Sequence, residues 1–264
     1  MKRQGFTLVE LLVTIVITAT LAAVGGVGVA SLKKRAALAT ETNAAHQLII
    51  GYLNYAADHQ NKVMPGYQSD PDVTNLDGEP LHDPVNARYP WRIAPYVPSV
   101  EGIMLYNGNE RFLKDPQRDY LVSVQPNLGL NTVFMGGHFG SGSPLRPSPR
   151  LIEAIGPYYV SRMSQAVRPE LQLVFASARS STGASGHFEV RPPRLLAPNW
   201  KSSDFSEDSL PSDHGFVDFR WSGRAVTAML GGNVELLDES ELRDMRRWSH
   251  QAARLNNPDY TVGK

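Results

Sequence analysis

The chain of 264 residues contains no cysteine, which excludes structural disulfides, thiolate metal sites and cysteine nucleophiles together. It has no net charge either: 26 basic and 26 acidic side chains balance, so composition indicates no nucleic-acid partner. Paired metal ligands are also missing. His46, His59, His82, His138, His187, His214 and His250 are dispersed, no His-Glu-x-x-His pair exists, and no zinc centre is assigned. No Gly-x-Ser-x-Gly elbow is found, and the Ser-x-x-Lys spacing of Ser31 and Lys34 falls where an apolar run meets a basic cluster, the context of an anchor. "GGVGVA" (25 to 30) has no room for a strand-to-helix turn, and "MGGHFGSGSPLRPSPR" (135 to 150) lacks a Gly-Lys-Ser/Thr ending, so neither is a phosphate loop. No catalytic residue is assigned. What is present is a hydrophobic share of 42% with 19 prolines and 22 glycines, the composition of one core interrupted by many turns.

The longest feature is apolar. From Phe6 to Leu32 the only ionisable side chain is Glu10, and a helix over this run would reach roughly 40 Å, enough to cross a hydrocarbon core of about 30 Å. A secretory signal peptide carries a shorter apolar stretch of about 7 to 15 residues; "LAA" at 21 to 23 would be its cleavage site, leaving a start near Val24. Lys2 and Arg3 precede the run while Lys33, Lys34 and Arg35 follow it, so flanking charge assigns no orientation. Thr18, Ala22, Gly26 and Ala30 recur every four residues, a small-residue face on which another helix can pack closely. Glu10 breaks the pattern. An acid in such a run costs a few kcal/mol unless it meets a partner.

"KRQGFTLVELLVTIVI" resembles the leader and processing site of bacterial type IV prepilins and type II secretion pseudopilins: a short basic leader, Gly5, an aromatic Phe6, then an apolar helix with glutamate at its fifth position. The resemblance implies cleavage after Gly5 by an inner-membrane prepilin peptidase and methylation of the Phe6 amine. It also implies a single-pass inner-membrane location with the bulk of the chain in the periplasm, and other pilin or pseudopilin subunits as partners. Glu10 would pair with the Phe6 amine of a neighbouring subunit, neutralising both charges when helices stack in a filament. The assembled state would be a pilus or pseudopilus.

Beyond the basic cluster, Ala45, Leu48, Tyr52 and Tyr55 keep helical spacing, widened by Ile49 and Ala56, and predict a helix to about residue 60, stopped by Met64-Pro65-Gly66. Residues 66 to 99 are rich in proline, aspartate and asparagine and read as a loop region. Within it, Asp70, Asp72 and Asp77 have calcium-compatible spacing, and some pseudopilins bind calcium in such a loop. A helix-loop-helix calcium site wants glycine at its sixth position and glutamate at its twelfth, however, where this chain has Asn75 and Leu81; an Asx-turn loop without metal is the expectation.

Strands are predicted at 102 to 106, 120 to 124, 132 to 135, 171 to 176 and 187 to 191. Two linked hairpins are predicted from 217 to 221, 225 to 230 and 233 to 237, turning at Ser222-Gly223 and Gly231-Gly232. Asp238 and Glu241 form a capping-box signature, after which Leu242, Met245, Trp248 and Ala252 share a helix face and leave Arg243, Arg246, Arg247 and Arg254 mainly to solvent. Trp91, Trp200, Trp221 and Trp248 are expected in packing roles. This tail also looks like that of prepilin-type proteins with a long globular domain, except that their Asp-Gly-His-type turn reads Gly231-Gly232-Asn233 here, so no role of its acid or imidazole is carried over.

The expected architecture is therefore α+β: a leader (1 to 5), a long N-terminal helix with a membrane half and an amphipathic half (6 to 61), and a β-rich domain (62 to 264). In the domain an antiparallel sheet carries the helix, and the chain ends in a second helix. The expected function is that of a non-enzymatic filament subunit; the alternative is a membrane-anchored periplasmic binding or enzymatic domain.

Overall fold

A computed structural model describes residues 8 to 181 and 185 to 263; within the first helix, the side chains of residue 10 and residues 18 to 28 lie outside the described set. That helix, α1, runs Leu8–Asp58. Gln60 and Asn61 then take positive φ, at 58° and 61°, and end it slightly before the expected Pro-Gly stop. The chain divides into two compact units, the first ending at Thr40 and the second beginning at Glu41, so the last turns of α1 belong with the globular part.

In the globular unit the predicted stripe is the buried face of α1: Ala45, Leu48, Ile49, Tyr52 and Ala56 are all buried, and Tyr55 is half-buried. Tyr52 meets Phe175 edge to face at 5.7 Å, which seats α1 on the sheet. The sheet has five strands, β1 (Leu128–Asn131), β2 (Leu173–Ser177), β3 (Glu189–Val190), β4 (Arg224–Met229) and β5 (Val234–Asp238), ordered β3-β1-β2-β4-β5. Its pairs are antiparallel except β1 with β3, which run parallel, so the sheet is mixed. In β1, Gly129 permits this approach, since a Cβ there would lie 2.8 Å from the Glu189 carbonyl carbon.

Several expected strands are helices or turns. The chain forms α2 (Tyr89–Ile93), α3 (Val100–Met104) and α4 (Arg118–Val124), and residues 102 to 104 lie in α3. Ser99 caps α3, its Oγ accepting the Gly102 N–H, and that cap turns "GIMLY" into helix. "YLVSV" lies in α4, with Asp119 in its first turn where the helix dipole favours an acid. "TVFM" is the turn after β1, closed by Met135 N–H to the Asn131 carbonyl at 3.0 Å. Residues 217 to 221 form no strand either, making isolated bridges at Val217 and Arg220 before a tight turn at Ser222 and Gly223.

The β4–β5 hairpin is as expected, though Met229 N–H bonds to the Asn233 carbonyl and leaves a three-residue loop with Gly232 at φ +90°. After α5 (Pro149–Ile155) and the sheet, the C-terminal helix is replaced by three short pieces. These are α6 (Glu239–Leu242), a 3-10 turn (Met245–Arg247) and α7 (His250–Leu255). Asp244 and Ser249 each cap a new start, so their side chains divide what hydrophobic spacing alone would join. Leu242, Met245, Trp248 and Ala252 are nonetheless all buried. Arg243, Arg246 and Arg247 are not simply solvated: they face Glu239, Asp244 and Glu235 respectively. All four tryptophans are buried.

Candidate functional site

In the first unit, α1 exposes Leu8, Val9, Leu11, Leu12, Val13, Ile15, Val16 and Ile17 along consecutive turns. A helix apolar on every face is stable in water only when something covers it, so this surface demands lipid or other helices. Among the described residues no helix is long and apolar enough to cross a membrane; the middle of the apolar run, 18 to 28, falls outside that description. Gly5 and Phe6 also lie outside the described residues, as does the side chain of Glu10, so the structure brings none of these predicted site residues together.

Where α1 enters the globular unit it carries a second acid that the sequence reading missed. Glu41 is fully buried, and the hydroxyl of Ser177, the last residue of β2, donates to its Oε1. The Arg220 guanidinium lies 3.7 Å from Oε2, and Arg220 also pairs with Asp218 at 3.0 Å. The same Ser177 Oγ accepts the Val226 N–H at 2.9 Å, so one hydroxyl ties helix, β2 and β4 together. A signal was available: Glu41 stands four residues before Ala45 and seven before Leu48, on the buried stripe itself.

A cleft of about 620 Å³ opens beside β3. Its buried Glu189 accepts from Arg191 Nε at 2.9 Å and Nη2 at 2.6 Å, and from the Thr132 hydroxyl at 2.9 Å. His138 stacks on Tyr67 with ring centroids 4.6 Å apart. Burial lowers its pKa and keeps it neutral; its Nδ1 accepts the Gly140 N–H at 3.2 Å, which places the ring proton on Nε2, 3.8 Å from Glu189. Both groups are thus wired to their neighbours, and among the described residues no hydroxyl hydrogen-bonds to His138. The pair braces the β3 edge. His214, for its part, faces Glu239 at 3.3 Å, and Asp218 pairs with Arg220.

The 70 to 81 segment folds as linked Asx turns. Asp70 Oδ1 accepts the Asp72 N–H at 3.1 Å, and Asn75 Oδ1 accepts from Asp77 N at 3.0 Å and Glu79 N at 2.9 Å. Asp77 pairs with Arg118 at 3.1 Å, so Asp70 and Asp77 have separate engagements, and Asp72 contributes its backbone N–H. Among the described residues no group of three or more histidines, aspartates or glutamates is arranged to hold a metal ion.

Against known families, residues 1–26 match the model of the prokaryotic N-terminal methylation motif, the prepilin-type cleavage and methylation signal of type IV pilins and pseudopilins. The chain carries a prepilin-type N-terminus. No curated protein and no solved structure matches it. Such a motif implies membrane association, processing by prepilin peptidase and assembly with other pilin subunits. It covers Gly5, Phe6 and Glu10 and overlaps the start of α1, whose first described turns expose apolar side chains.

Proposed function

We propose that the protein is a structural subunit of a type IV pilus-like or type II secretion pseudopilus filament. Prepilin peptidase cuts after Gly5, and the methylated Phe6 becomes the first residue. The subunit waits in the inner membrane as a single-pass protein with its globular unit in the periplasm, and joins the filament through α1. The observation that carries this reading is the methylation motif at residues 1–26 continuing into a helix that leaves its apolar side chains uncovered. Helix association removes that surface from water, and pairing of Glu10 with the amine of Phe6 from a neighbour makes the buried charge tolerable while fixing register. Glu10→Val tests the pairing, because it leaves the cleavage site intact and removes only the acid. In a host with the peptidase, the variant is expected to be cut normally and to give at least about tenfold less sheared fibre, the loss that about 1.4 kcal/mol per contact produces. Equal fibre yield would overturn the pairing.

A further inference from the structure

A second cleft, of about 430 Å³, lies at the end of α1 in the globular unit, next to a smaller one of about 200 Å³. Tyr55, Asp70 and Arg92 line both. Its apolar wall is built from three rings: Tyr55 and His59 stack at 3.9 Å, and Tyr96 stands edge-on to them at 5.4 and 6.2 Å. The spacing explains the stack, since Tyr55 and His59 are one helical turn apart, and His59 Nδ1 bonds to the Tyr55 carbonyl at 2.8 Å.

The polar groups of this cleft are of both signs. Arg92 is buried at its floor, held by the carbonyls of Arg88, Gly66 and Ala87 at 3.4, 3.2 and 3.1 Å through Nε and Nη2. Among the described residues no carboxylate comes within ion-pair distance of it. Burial lowers its pKa to about 10, which still leaves it a cation at neutral pH. At the rim, Asp70 has one oxygen on the Asp72 N–H, while the Asp72 side chain is exposed and makes no ion pair among the described residues.

This combination selects a ligand class. A simple anion would meet Arg92 but also two carboxylates; a simple cation would meet the carboxylates and rings but also the buried guanidinium. A polyol fits both signs, because each hydroxyl accepts from a guanidinium and donates to a carboxylate, while the C–H face of a sugar ring lies against aromatic rings. The volume is in the range of small-ligand sites. We propose that this cleft binds a neutral pyranose, with Arg92 and the two aspartates taking its hydroxyls and Tyr96 with the Tyr55–His59 stack taking its apolar face. The site would give the globular unit a saccharide-binding activity separate from whatever α1 does, and it stands whether or not the chain forms filaments.

The test uses the full chain in a polyoxyethylene detergent, which carries no sugar headgroup. Methyl α-D-glucopyranoside, methyl α-D-galactopyranoside and methyl α-D-mannopyranoside are titrated with saturation-transfer NMR as the readout, and choline chloride and sodium acetate serve as charge controls. At least one pyranoside is expected to saturate with a dissociation constant of about 1 mM, and Tyr96→Ala and Asp72→Asn are each expected to weaken it about tenfold at unchanged thermal unfolding. Asp72→Asn is an exposed, isosteric change and keeps the test valid if Tyr96→Ala unfolds. Failure of all three pyranosides to saturate overturns the proposal. So does saturation by choline or acetate instead, or pyranoside binding indifferent to Asp72→Asn.

Discussion

Ser177 has two obligations inside the sheet, donating to Glu41 and accepting from the Val226 N–H, and both partners are buried. Removing the hydroxyl leaves a buried carboxyl oxygen and a backbone N–H without it, and hydrogen bonds to such groups contribute about 1.5–3 kcal/mol. Ser177→Ala is therefore expected to lower the unfolding free energy by about 2 kcal/mol, read from the urea midpoint of tryptophan fluorescence. Glu41→Gln, which keeps an acceptor for Ser177, is expected to lose less. His187 carries a second residue-scale consequence. Packed against Phe188 at 4.8 Å and Phe216 at 4.2 Å, it is held neutral by burial, its pKa pushed down to about 4 from 6.5. The unfolded chain takes up this proton first as pH falls. The contribution is therefore fully present above about pH 6.5 and is lost progressively between there and pH 4, amounting to up to about 3 kcal/mol. Thermal unfolding between pH 7 and pH 4 is expected to fall more steeply for the native chain than for His187→Gln.

At the scale of elements, the cap at Asp238 is the clearest case of a local signal carried through to structure. Its Oδ1 accepts the Glu241 N–H at 3.0 Å, and Glu241 Oε2 accepts the Asp238 N–H at 2.9 Å. Asp238→Ala is expected to cost about 1 kcal/mol in the same urea titration, the usual value of a lost N-cap. The α1 stripe, the β4–β5 hairpin and this cap were legible in sequence because each is set by residues close together in the chain. The strands expected at "GIMLY" and "YLVSV" were not, because a five-residue run with four apolar residues fits either a strand or about one and a half helical turns, and Ser99 and Asp119 favour the helix. Strand β1 gives no local signal for the opposite reason: "LGLN" has little strand character of its own, and its place is made by Gly129, which lets β3 approach. Of the candidate sites, Gly5, Phe6 and Glu10 were readable as a linear motif, whereas Arg92 and Glu189 acquire meaning only from carbonyls, hydroxyls and rings brought together by the fold.

For the molecule as a whole, the account joins a globular unit with its own core to a helix whose apolar turns have no cover within the described residues. One chain satisfies the first requirement alone; the second, in the proposed function, is met by lipid at one stage and other copies at another. In the filament reading proposed above, processing at the N-terminus would link the two stages, since a freed amine at Phe6 would give Glu10 a counter-charge. The most direct measurement is the intact mass and N-terminal peptide of the protein isolated from its native membrane. The account predicts a chain lacking residues 1 to 5 and beginning with N-methylated Phe6. An N-terminus at Met1, or one near Val24, would contradict it.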